Sequence, residues 1–250
     1  MPNSNDPFFV GWEDTPPKEP IRGSSHKAWG YLAFVCVLAL AIAATQRDFS
    51  GQGAWDFSER TFEGVFLAQP YPAVITKEAV HYIVYEDKRT LNAEEAAPLH
   101  LRTVSINGSL IEDPTQPTSM IAVPSVDRIE ETGGVNEDPL AAISWTSVSG
   151  IRGEICDSKC ALGAMNPGIF KPHRACATVC LQGGIPPVLI VPTSETTSEH
   201  YLLVGPDGAP IQETAVEYVA LPVEMDGEVG QLGQWRILRA NPNSIATLRD

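Results

Sequence analysis

The residues whose types and spacing can do chemistry lie in one run, GEICDSKCALGAMNPGIFKPHRACATVCLQGGIPP, which holds Cys156, Cys160, Cys176 and Cys180 together with His173. Three chemistries can use this set. In an oxidising compartment an even number of cysteines can close structural disulfides, and four of them permit three pairings. Alternatively, the four thiolates, with His173 as a substitute or fifth donor, can ligate zinc or copper, and Met165 in the same loop would soften the set toward Cu(I). The third option is a redox-active thiol pair, for which Lys159 and Arg174 can lower a thiolate pKa by proximity unless they are plain solvated charges.

The elements that must position these groups follow from local spacing. His173, Cys176 and Cys180 fall at i, i+3 and i+7, so a helix over 173–181 would put all three on one face. Pro172 suits the start of such a helix, and Gly183-Gly184 suits its end. Cys156 and Cys160 form a second pair, at i and i+4, across a loop rich in Gly and Pro.

An internal repeat fixes where this loop enters the fold. His81-Tyr82-Ile83-Val84 is echoed by His200-Tyr201-Leu202-Leu203. Val104-Ser105-Ile106-Asn107-Gly108 is echoed by Val223-Glu224-Met225-Asp226-Gly227, with each histidine 26 residues ahead of its Asn or Asp. Gly64 and Gly153 mark the first strand of each copy. Gly64 lies 17 residues before its histidine and Gly153 lies 47 before its own, so about thirty residues enter the second copy after its first strand. His81 and His200 open strands beside a tyrosine and read as half-exposed strand residues rather than a shared site.

Short β-branched runs broken by Pro, Gly and Asn indicate a mainly β chain. The expected architecture is one N-terminal transmembrane helix followed by two small tandem β units, OB-like barrels or sandwich-like, the second carrying the Cys/His-rich insertion 156–184. The boundaries are a segment 1–27 on the near side of the membrane, a spanning helix 28–45 and a tether 46–60. A first unit 61–126, a linker 127–146 and a second unit 147–250 follow. Ala28 to Thr45 holds eighteen residues without a charge, enough to cross a hydrocarbon core of about 30 Å. Lys18, Arg22 and Lys27 flank its start, whereas Arg47 stands alone after it, so the positive-inside rule puts 1–27 in the cytoplasm and 46–250 beyond the membrane. A cleaved signal peptide is disfavoured by a leader carrying Asp6, Glu13, Asp14 and Glu19.

A formal charge of -14 repels phosphate backbones and argues against nucleic acid as a partner. The sequence has no P-loop, dinucleotide glycine motif, serine elbow or H-E-x-x-H, so no catalytic residue and no organic cofactor is assigned, and a non-enzymatic role is expected.

The runs Gly153-Glu154-Ile155, Asp157-Ser158-Lys159-Cys160, His173-Arg174-Ala175-Cys176-Ala177, Cys180 and Gly183-Gly184-Ile185-Pro186-Pro187, with Asp6 to Trp12, resemble a signature of uncharacterised bacterial membrane-anchored proteins. The resemblance covers residues 6–12 and 150–208. It implies a bacterial inner membrane and a periplasmic domain, and it implies no activity. The anchor, the missing catalytic motifs and the clustered ligands point instead to a place beside a membrane protein complex. The pattern has an apolar residue at position 156, which leaves Cys160, Cys176 and Cys180 as the recurring thiols. An odd count tilts the reading toward Cys3His metal ligation or a redox role. The expected function is therefore an accessory or binding subunit tethered beside a membrane redox system, with a periplasmic thiol-disulfide oxidoreductase or a purely structural docking protein as alternatives.

Overall fold

A computed structural model describes residues 18–45, 53–165, 167–194 and 197–248. The N-terminal run 6–12 and the opening of the expected tether, 46–52, lie outside these. The chain divides into two compact units, Met1–Asp48 and Phe49–Asp250. In the first, helix α1 (Lys18–Thr45) contains the stretch His26–Ala44, 19 residues that are long and apolar enough to cross a membrane. At 1.5 Å per residue this stretch spans about 28 Å.

The second unit is built from two sheets of six strands. The first comprises β1 (Ala54–Leu67), β2 (Ala73–Ile75), β3 (Val80–Tyr85), β4 (Arg102–Glu112), β5 (Ser119–Val123) and β6 (Ile129–Val135), with the one-turn helix α2 (Ala93–Ala96) between β3 and β4. The second comprises β7 (Trp145–Asp157), β8 (Pro187–Pro192), β9 (Ser198–Val204), β10 (Pro222–Leu232), β11 (Trp235–Ala240) and β12 (Ala246–Thr247). Helix α3 (Arg174–Gln182) lies between β7 and β8, and α4 (Gln212–Tyr218) between β9 and β10.

Each sheet closes on itself. In the first, β1-β2-β3-β5-β4 is joined by β4 returning to β1; in the second, β7-β8-β9-β11-β10 is joined by β10 returning to β7. The third and fifth strands pair in parallel in both, and the other ring pairings are antiparallel. This order, 1-2-3-5-4-1 with a helix between strands three and four, is that of an OB-like barrel, and closure removes the exposed edges of the ring.

The matched glycines explain the bend that closure needs. Gly64 pairs with Val104 and Gly153 with Val223, and a Cβ on either would run into the backbone carbonyl of Ile75 or Ile190. Only a residue without a side chain lets the second strand cross so close.

Two stretches differ from the sequence reading. Residues 54–60, expected in the tether, begin β1, because Trp55 donates through Nε1 to Ser109 Oγ at 2.8 Å and stacks on Phe57, extending the pairing with β4 as far as Glu112. The segment 127–146, expected as linker, contains β6, which pairs with β4 and buries Ile129. The first sheet thus runs from Ala54 to Val135.

Each barrel has an interior core, and a third cluster joins them. Phe66, Ile83 and Ile106 fill the first barrel; Ile155, Leu189 and Leu238 fill the second. The joining cluster takes Leu67, Tyr82 and Met120 from one barrel and Leu202, Trp235 and Ile237 from the other, together with Cys160 and Cys180. Two buried tyrosines carry polar links across it: Tyr71 Oη donates to Leu203 O at 2.9 Å and accepts from Ile211 N at 3.0 Å, and Trp235 Nε1 donates to Tyr82 Oη at 2.6 Å.

Candidate metal centre

β7 ends at Asp157, and the chain then turns through a single π-type turn, Cys160–Ala164. Gly163 in this turn has φ +111° and lies against the backbone of Gly53, a conformation and an approach that a side chain would block. After a short 3-10 turn, Lys171–His173, the expected helix forms as α3 and ends at Gly183. Its inward face carries Cys176 and Cys180 to the Cys160 turn, at the cluster between the barrels.

Cys160, Cys176 and Cys180 have sulfurs all within 4.8 Å of one another, and Cys160 Sγ is 3.9 Å from Cys176 Sγ. All are free thiols. A disulfide requires about 2.05 Å. An ion about 2.3 Å from each sulfur instead separates neighbouring sulfurs by about 3.8 Å in tetrahedral and about 4.0 Å in trigonal geometry. The trio therefore has the spacing of a coordination site.

The remaining two candidates lie elsewhere. Cys156, Asp157 and His173 form a second buried group within 4.8 Å, separate from the three thiols. Cys156 is a strand residue whose side chain enters the core of the second barrel and donates to Gly168 O at 2.9 Å, whereas the turn after Asp157 swings Cys160 toward the first barrel. Two structural disulfides from the four cysteines are not formed, since Cys156 is grouped apart from the other three. His173 precedes α3 instead of continuing its cysteine face, and its Nε2 meets Asp157 Oδ2 at 2.9 Å with both side chains fully buried. The same carboxylate accepts from the Cys160 amide through Oδ1 at 2.9 Å. Asp157 thus fixes Cys160, and His173 fixes Asp157, the arrangement by which outer groups orient metal ligands.

Two lysines supply positive charge. Lys88, in the loop after β3, places Nζ 2.9 Å from Cys176 Sγ, and this contact holds its pKa above the usual lysine value. Lys159 is 4% exposed, against the reading of a solvated charge. Its Nζ donates to the carbonyls of Tyr85, Glu86 and Asp87 at 2.8, 2.9 and 2.6 Å and lies 4.7 Å from the Trp55 ring centre. Burial pulls its pKa down. Within the trio Cys160 donates to Cys180, which raises the Cys160 pKa and lowers that of Cys180. Burial raises Cys156 well above the thiol range. Arg174 is exposed, as is Met165.

Sequence reasoning missed Asp157 and Lys88. The run Cys156-Asp157-Ser158-Lys159-Cys160 carried a signal for the first, a short carboxylate three residues ahead of the turn's first residue. Lys88 had none, being 88 residues from its thiol. Compared with known proteins, the chain matches no family, no curated protein and no solved structure.

Proposed function

We propose that this chain is a membrane-anchored accessory domain that holds a thiophilic metal ion, zinc or copper, on Cys160, Cys176 and Cys180. The observation that carries the reading is the convergence of three free thiols, drawn from two separate turns of chain, with all sulfurs within 4.8 Å of one another and Cys160 Sγ 3.9 Å from Cys176 Sγ, a separation that a shared ion imposes. Asp157 behind Cys160 and Lys88 beside Cys176 support it, because thiolates on a metal need both fixed geometry and positive charge nearby.

The anchor is α1. The basic flank Lys18, Arg22 and Lys27 favours a domain on the far side of the membrane, the periplasm if the chain is bacterial as its signature suggests, beside a membrane redox complex. Thiol-disulfide exchange is the second reading, favoured by the hydrogen bond from Cys160 that holds the Cys180 thiol below its usual pKa.

One measurement separates the two. Full-length protein purified reduced, in detergent and without chelator, is assayed for bound metal and for iodoacetamide labelling. Bound Zn or Cu near one equivalent, abolished by Cys176→Ala, is the expected result. Metal-free protein whose Cys180 labels rapidly below neutral pH would establish the exchange reading instead.

A further inference from the structure

We infer that the outward face of the thiol-bearing insertion, which carries Phe170, Lys171, Arg174 and Val179, docks on an anionic lipid surface. The inference rests on the reading of α1 as the anchor and is independent of which ion the thiols hold.

Helix α3 sorts its side chains. Ala177, Cys180 and Leu181 are buried, whereas Arg174, Ala175, Val179 and Gln182 are exposed on the opposite arc of the helix. Lys171, in the turn before α3, and Phe170 ahead of it are exposed as well. Phe170 is 54% exposed, and its backbone is strained to keep it there: φ is +68° and ψ 176°, a region that only glycine enters freely. Glu154 accepts from the Phe170 amide and His173 N donates to the Phe170 carbonyl at 2.9 Å, so the backbone is fixed while the ring stays at the surface. Glycine would make the same bend without strain. What phenylalanine adds at this position is the ring.

The charge of this face is opposite to that of the molecule. Between Asp157 and Glu195 the sequence has no aspartate or glutamate, in a chain with 31 acidic and 17 basic residues. Of the acids beside the insertion, Asp157 is fully buried against His173 and the Cys160 amide, Glu154 is bonded to the Phe170 amide, and Asp87 pairs with Arg89. Exposed Glu86, Glu213 and Glu217 lie on the neighbouring loop and on α4, which packs against α3, and they bound the basic face. Lys171 and Arg174 form no ion pair among the described residues. Each cation close to an anionic lipid surface strengthens binding about fivefold. An otherwise acidic unit is repelled by the same surface, so it can approach only with this face turned toward it.

Reach and size favour lipid over a protein as the occupant. Gly53, where the described strands begin, packs on the backbone of Leu162 and Gly163 inside the insertion. Residues 46–52 join it to Thr45, and a chain of that length spans about 30 Å at most when fully extended. The insertion is thus tethered at high effective concentration to any bilayer that α1 crosses. Phe170, Val179 and Met165, each about half exposed, offer in all about 300 Å² of apolar surface. A stable protein interface buries about 800 Å² per partner. One aromatic ring flanked by two cations is the smaller contact that an interfacial lipid anchor uses.

The test places the full chain in nanodiscs of phosphatidylcholine, alone or mixed with phosphatidylglycerol at about 3:1, with Phe170→benzoylphenylalanine as a photo-crosslinking probe. Mass spectrometry after irradiation should find lipid joined at position 170, at least about fivefold more of it in the anionic discs, and Lys171→Gln with Arg174→Gln should remove that gain. The same probe introduced as Val135→benzoylphenylalanine, at an exposed position on β6, should take up far less lipid. Circular dichroism confirms that each variant is folded. No lipid at position 170 in the anionic discs, or equal uptake at 170 and 135, overturns the inference, and equal uptake in the two kinds of disc overturns its electrostatic half. Irradiated native membranes in which position 170 joins a protein and not lipid overturn it in favour of a protein partner. Carbonate extraction of the parent chain checks the premise separately. A chain released by carbonate overturns the anchor reading and this inference with it, whereas a chain that stays in the membrane and takes up no lipid at 170 overturns this inference alone.

Discussion

A carboxylate has two oxygens and can hold two groups at once, and buried Asp157 uses one on the Cys160 amide and the other on His173. His173 was in reach of the ligand set by spacing alone, three residues before Cys176. Its ring instead turns to the carboxylate, because a buried anion without a partner costs more than a lost ligand. The two roles predict different losses. As a support, His173→Gln should leave the metal stoichiometry at the parent value and weaken affinity by about tenfold, while Asp157→Ala should weaken it up to about a hundredfold. As a ligand, His173→Gln would lower affinity as much as Cys176→Ala does. Chelator competition on the three variants decides between them.

At the scale of strands, the repeat was legible and its register was not. Gly64 and Gly153 could be matched from sequence because each occupies a point where two strands cross too closely for a side chain. Helix α3 was legible from Pro172 and Gly183. His81 and His200 were matched by residue type, yet the ladders offset them by one position: Ile75 pairs with Val80 in the first barrel, and Ile190 pairs with His200 in the second. A one-residue slip reverses the face of a strand residue. His81 accordingly sits with Ser119 and Phe62, on the side of the first barrel's own core, whereas His200 lies on the side shared between barrels and senses the charge of Asp113. One-dimensional similarity counts residue types and cannot see which hydrogen bond a strand accepts. The same limit hid β6 inside a Pro- and Gly-rich segment that reads as linker. Burial lowers the His200 pKa to about 4. A folded-state value below the unfolded 6.5 means that the unfolded chain takes up the proton first, so stability is complete above pH 6.5 and falls as the pH drops toward 4. The loss is of the order of 3 kcal/mol. Metal-stripped His200→Gln should show a shallower fall in Tm across that window than the parent, and equal slopes would remove His200 as the cause.

Among the described residues of Phe49–Asp250 there are three apolar clusters, and the one between the barrels decides how this unit unfolds. It is not a thin contact: it includes fully buried side chains from both barrels and two of the three thiols. Hydrogen bonds inside it are demanding, since a donor left alone there loses water and gains nothing. Trp235 and Tyr82 come from different barrels, meet at 2.6 Å and pack edge to face with ring centres 5.3 Å apart. Tyr82→Phe keeps the ring and strands the indole N–H, which should cost about 1–3 kcal/mol. If the barrels are one cooperative unit, that loss lowers a single melting transition by roughly 2–12 °C, with both barrels shifting together. Independent barrels would instead show two transitions, of which the substitution moves each separately. The experiment follows Trp fluorescence and far-ultraviolet circular dichroism on the same sample: coincident curves in parent and variant are expected, and curves that separate would mean that the seam joins two domains without coupling them.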